Sequence, residues 1–154
     1  MYQEHARPKP PSFLEFNKEI LFGECGAFLL AYGAAFLAAD FTHNAAIISG
    51  SVVVGTLLGG TVFWLAARIF HKLSGNRWSP GSLVTDIGYF TPAALTLGFL
   101  VYDPAIYFAS HYFLVHSAGV GHSVLFAQLI AFTLFLASMN CYRAILMRSG
   151  LRRL

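Results

Sequence analysis

All ten Lys and Arg residues of this chain fall into three stretches, Met1 to Leu21, Arg68 to Ser82 and Arg143 to Leu154, and long apolar runs separate them. Neither of the alternate connections, near residues 42–44 and 103–123, carries a basic residue. A chain whose positive charge recurs on every second connection is a polytopic membrane protein, with the basic side cytoplasmic. Both termini are then expected in the cytoplasm.

Composition supports this class. Hydrophobic residues make up 56% of the 154 and charged residues 11%, against roughly 25% charged in soluble domains. At roughly 20 residues per crossing, the chain has room for about four spans. The expected architecture is all-α: four transmembrane helices in one domain, arranged as two hairpins. The spans read as 22–41, 45–68, 83–102 and 124–147, within a transmembrane domain of 22–147. Residues 1–21 form a cytoplasmic N-terminal segment, 103–123 an outer interfacial segment and 148–154 a basic tail. The net charge of +3 follows from topology and anionic headgroups rather than from nucleic acid.

Local signals refine the ends. Ser12-Phe-Leu-Glu15 follows Pro8, Pro10 and Pro11 and has the form of a capping box, so a helix should start near Phe13 and lie at the headgroups before entering the bilayer. Leu29 to Ala39 resembles the apolar part of a signal peptide, but Glu24 interrupts the run and Glu15 and Glu19 precede it, which argues for a retained span. Cys25 and Cys141 lack CxxC or metal-type spacing and read as packing residues.

Small residues recur at four-residue intervals: Gly23, Ala27, Ala31, Ala35 and Ala39 in the first span, and Ser51, Gly55 and Gly59 in the second. Such rows let two backbones approach closely in lipid. Gly55-Thr-Leu-Leu-Gly59 with Ala27 and Ala31 is read as a contact between spans one and two, ahead of a homodimer seam. Gln128 and Asn140 should bond across helices for the same reason that makes unpaired polar groups costly in hydrocarbon.

An internal repeat is visible. Glu24-Cys-Gly26-Ala-Phe28 and Asp86-Ile-Gly88-Tyr-Phe90 open spans one and three, while Ala67-Arg68-Ile-Phe70 and Tyr142-Arg143-Ala-Ile145 close spans two and four. Two halves of equal orientation imply a pseudo-two-fold axis along the membrane normal.

This layout resembles the GtrA-like family of small four-span proteins over about residues 20–147. Phe63-Trp64-Leu-Ala-Ala-Arg68-Ile-Phe70 is similar to the family's first hairpin ending, and Asn140-Cys-Tyr142-Arg143 to its second. The resemblance implies two hairpins around a basic cytoplasmic loop, and movement of polyprenyl-phosphate-linked sugars across the membrane or assistance to a partner glycosyltransferase.

Acidic residues within spans carry a functional default. Glu24 and Asp86 are expected near the cytoplasmic ends, Asp40 and Asp103 near the outer ends, as two opposed layers flanking a substrate or ion path; helix capping at the interfaces is the alternative. Pro92 in span three cannot donate to the carbonyl of Gly88, so a bend there, with Thr91 or a neighbouring helix as substitute donor, would line a cavity beside Asp86. The aromatic-rich outer segment should form a short interfacial or re-entrant helix from Pro104. It holds His111 and His116, with His122 following. Together with Asp40, His43 and Asp103 these outline a conceivable transition-metal site. Spacings of five and six do not align them on one helical face, which favours interfacial hydrogen bonding instead.

No GxSxG, HExxH, Walker or Rossmann pattern occurs, so neither an enzyme nor a cofactor is expected. Two functions fit: a small carrier or flippase, and a non-catalytic accessory subunit of a larger membrane complex. The expected partners are membrane lipids and other integral membrane subunits, or a second copy in a homo-oligomer, and no nucleic acid. The absence of a long transit sequence points to a prokaryotic plasma membrane.

Overall fold

A computed structural model of the chain describes residues 13–74, 92–116 and 118–148. They are helical apart from two short connections. Four helices are long and apolar enough to cross a membrane, so the chain is a multi-pass helical membrane protein. We number them α1 (Phe13–Phe41) and α2 (Ala45–Ser74), α3 (the span Pro92–Val115) and α4 (Val120–Arg148). α1 contacts α2 and α4, and α3 contacts the same two helices, which closes a four-helix ring.

Helix α1 is described from Phe13 and runs unbroken to Phe41, and Ser12 of the expected capping box lies outside the described residues. The turn to α2 takes three residues. Asn44 caps α2: its side-chain Oδ1 accepts from the backbone N–H of Ala46 at 2.9 Å, satisfying one of the donors that a helix start leaves unpaired. The Asn44 N–H in turn donates to Thr42 Oγ1 at 3.1 Å.

α1 and α2 pack along the small-residue rows. A Cβ on Gly59 would lie 2.0 Å from the carbonyl oxygen of Gly26, and one on Gly55 would lie 2.5 Å from that of Leu30. Only glycine permits this approach, because the opposing atoms are backbone and cannot swing away. Ala27, Ala31 and Ala35 are buried against it. Ser51 continues the row and donates its hydroxyl to the carbonyl of Ala34 at 3.1 Å. At the far end of this pair, Glu19 on α1 forms an ion pair with Arg68 on α2.

The third span differs from the sequence expectation. Its described part runs from Pro92 to Val115, past the expected end at 102, and residues 83–91, where the span was expected to start, lie outside the described residues. No separate outer helix starts at Pro104. Asp103 to Val115 continues the span directly through a π-helical turn, Gly98–Tyr102. The wide turn has a physical reason in the sequence. Pro104 lacks the N–H that would bond Leu100 in a regular helix, and its ring would press on that carbonyl. An i→i−5 bond from the Asp103 N–H to Gly98 opens the turn, an adjustment often found at functional sites. The connection to α4 therefore shrinks to residues 116–119.

The core is small and aliphatic. Ala31, Ala35, Ile48, Val52, Ile106, Val124, Ala127 and Ala131 are buried together with Tyr102. A second cluster joins Ile20 to Met139. Large apolar side chains such as Leu37, Leu58, Leu100 and Leu129 point outward, which is the reverse of a soluble bundle and suits a lipid-facing exterior.

Candidate functional site

The π turn brings Tyr102 and Asp103, adjacent in sequence, into the bundle together; their relative exposures are 7% and 8%. Asp103 stands twelve residues before Val115, so at a rise of roughly 1.5 Å per residue it lies about 18 Å inside that end of the span. This corrects the expected position of Asp103 at an outer end. Charge and the following proline gave it the appearance of a loop residue, whereas the π turn keeps the helix going past it.

Tyr102 bridges two helices. Its hydroxyl donates to Glu24 Oε2 on α1 at 2.8 Å and accepts from Gln128 Nε2 on α4 at 2.8 Å. The ring packs edge-on against Phe135, with centroids 5.4 Å apart. Three helices thus share one chain of hydrogen bonds, Gln128 to Tyr102 to Glu24. Gln128 bonds across helices as its apolar surroundings demand. So does Asn140, whose Nδ2 donates to Asn17 Oδ1 at 3.2 Å.

Beside this chain lies a cavity of about 180 Å³ between α1, α2 and the first half of α3, with Glu24, Thr56, Trp64, Phe99, Tyr102 and Asp103 in its wall. Both carboxylate oxygens of Asp103, Oε1 of Glu24 and Oγ1 of Thr56 are buried without a hydrogen-bond partner. Among the described residues, no Lys, Arg or His lines the cavity. Thr61 on α2 and Leu95 and Phe99 on α3 line it while remaining exposed on the outer surface, so among the described residues the cavity opens sideways between α2 and α3.

The acidic residues do not form two opposed layers among the described residues. Glu24 and Asp103, assigned to opposite layers by the sequence, line one cavity. Asp40 is exposed in the last turn of α1 and takes no part. Asp86, Gly88 and Thr91, and with them the expected bend, fall outside the described residues, and Pro92 is exposed at the start of α3. Gly55, Gly59, Ala27 and Ala31 sit on the α1–α2 contact, and Ala27 also lines the cavity.

His111, His116 and His122 each lie against an aromatic ring four residues away along the chain. His111 lies over Tyr107, His116 over Tyr112 and His122 beside Phe126. His116 Nδ1 is 2.8 Å from the carbonyl of Tyr112. No group of three His, Cys, Asp or Glu side chains able to hold a metal occurs among the described residues.

Sequence reasoning passed over Tyr102, Thr56 and Trp64. A tyrosine one residue before an apparent loop carries no periodic signal until the helix is known to continue.

No family model, curated protein or solved structure matches this chain.

Proposed function

We propose that this protein is a carrier or flippase for a lipid-linked sugar, with the cavity between α1, α2 and α3 as the passage for the polar head. One observation carries the reading: a buried, unpaired carboxylate, Asp103, well inside the span, lines a cavity that among the described residues opens sideways. An ionisable group at that depth is costly and marks a substrate or ion path by default. A sideways opening suits an amphiphile, whose hydrocarbon tail stays in lipid while its head enters between helices. Carboxylates accept from sugar hydroxyls, and the aromatic faces of Trp64 and Tyr102 offer flat apolar surface to a sugar ring. The resemblance to the GtrA-like family, residues 20–147, points to the same substrate class. In this reading the helices form two hairpins in a prokaryotic plasma membrane. Both termini and the basic stretch around Arg77 face the cytoplasm.

The test is leaflet exchange in vesicles holding the purified protein and a fluorescent short-chain polyprenyl-phosphate sugar, with an impermeant reductant quenching the outer leaflet. The protein is expected to expose the inner-leaflet label. Asp103→Ala and Glu24→Gln are expected to slow exposure at least about tenfold while retaining their helical circular dichroism. A protected fraction identical with and without the wild-type protein would remove the carrier reading. Fixed stoichiometry with larger unrelated chains, in native mass spectrometry of gently extracted protein, would favour the accessory-subunit function instead.

A further inference from the structure

The hydrogen bonds around the cavity leave an imbalance of sign. Tyr102 spends its one proton on Glu24 Oε2, and Gln128 spends an N–H on the Tyr102 oxygen. What remains unpaired on residues of the cavity wall is Glu24 Oε1, both oxygens of Asp103 and the Thr56 hydroxyl, all of them buried. Three of these four atoms can only accept when the carboxyls are ionised. Asp103 is more than nine-tenths buried, and the described wall contains no basic side chain. The wall is otherwise apolar and aromatic, with Trp64, Phe99 and Phe135 among its residues.

We propose that the head bound here carries an ammonium group, so that the ligand is a lipid-linked amino sugar. This rests on the carrier reading and narrows its substrate. An ammonium brings three donors and one positive charge to the unsatisfied carboxylates. Charge-assisted bonds of this kind are roughly twice as strong as neutral ones. The surrounding aromatic faces favour a cation further. A neutral sugar supplies donors but leaves two carboxylates without a counter-charge in a medium of low dielectric. The size agrees: about 180 Å³ lies below the roughly 300–1,000 Å³ of drug-sized pockets, room for one ring-sized head and not for an oligosaccharide.

The experiment uses the full chain in nanodiscs, carrying Trp78→Phe so that Trp64 is the one tryptophan reporting by fluorescence. Three probes are titrated: an octyl 2-amino-2-deoxyglucoside, octyl glucoside and octylamine. The amino glycoside is expected to bind at least about tenfold more tightly than octyl glucoside, the effect of one charge-assisted contact. In Asp103→Asn, which keeps the side chain's shape, and independently in Glu24→Gln, that ratio should fall toward one. Equal affinities of the two glycosides for the wild type would overturn the ammonium assignment and leave the sugar carrier standing. Octylamine binding as tightly as the amino glycoside would overturn the sugar and with it the carrier reading. An amino-glycoside preference that survives both substitutions would place the cation elsewhere and overturn the site.

Discussion

Tyr102 is the residue on which the interior depends. One hydroxyl holds Glu24 and Gln128 at 2.8 Å each, and its removal strands a donor and an acceptor in an apolar interior. Interhelical hydrogen bonds in membranes average only about 0.6 kcal/mol, because the membrane-embedded unfolded state finds other partners. A stranded buried group costs more, about 1–3 kcal/mol. Tyr102→Phe is therefore expected to lower unfolding stability by about 1–2 kcal/mol in an SDS titration. Gln128→Leu added to Tyr102→Phe should cost less than Gln128→Leu alone, since the partner it would abandon is already gone. Strict additivity would show that the two side chains do not act as one chain.

At the level of elements, the α1–α2 pair is held by geometry rather than by apolar area. Gly59 and Gly55 lie where the helices meet backbone to backbone, and lipid offers no hydrophobic gain to compensate a wider spacing. Gly59→Ala is expected to force the helices apart and lower the thermal midpoint by several degrees. Gly33→Ala is its control: a Cβ there meets nothing within 4 Å, and the better helix propensity of Ala should leave the midpoint level or raised. Thermal melts of the two variants in one detergent check this directly, and a Gly59→Ala midpoint equal to that of Gly33→Ala would contradict the close contact. The π turn at Gly98–Tyr102 is the other element-level device. It absorbs Pro104 without ending the helix and so keeps Asp103 inside the span.

For the whole molecule, orientation is the property with the widest consequence, since it decides which leaflet the sideways opening serves first. The charge asymmetry predicts that the connection at 42–44 lies outside and the C-terminal tail inside. On a background with Cys25→Ser and Cys141→Ser, a His43→Cys variant in intact cells should react with an impermeant maleimide. A cysteine replacing Arg152 should react only after lysis. Labelling in the opposite pattern would invert the topology and the direction assigned to the carrier. The closed ring of four helices also encloses little: the exterior keeps large apolar side chains such as Phe70, Phe108 and Ile145, as lipid rather than water would require.

The membrane class and the four long apolar helices among the described residues were legible in the sequence. Hydrocarbon leaves a chain few choices: runs of apolar residues must be helical to satisfy their backbone, and basic residues select the side. Expected spans of 22–41, 45–68 and 124–147 accordingly stand beside observed candidates Asn17–Phe41, Ala45–Phe70 and Val120–Ile145. The third span was misread because Asp103-Pro104 carries the local chemistry of a helix start, and local chemistry does not record that a π turn can carry a proline onward. Likewise the small-residue rows announce that some close contact exists, but which helix they meet is decided by packing. The grouping of the site belonged to the tertiary structure. Glu24, Tyr102 and Gln128 are separated by 78 and 26 residues, and no pattern in one helix encodes the depth of another. Only the assembled ring puts their hydrogen bonds beside a carboxylate that has none.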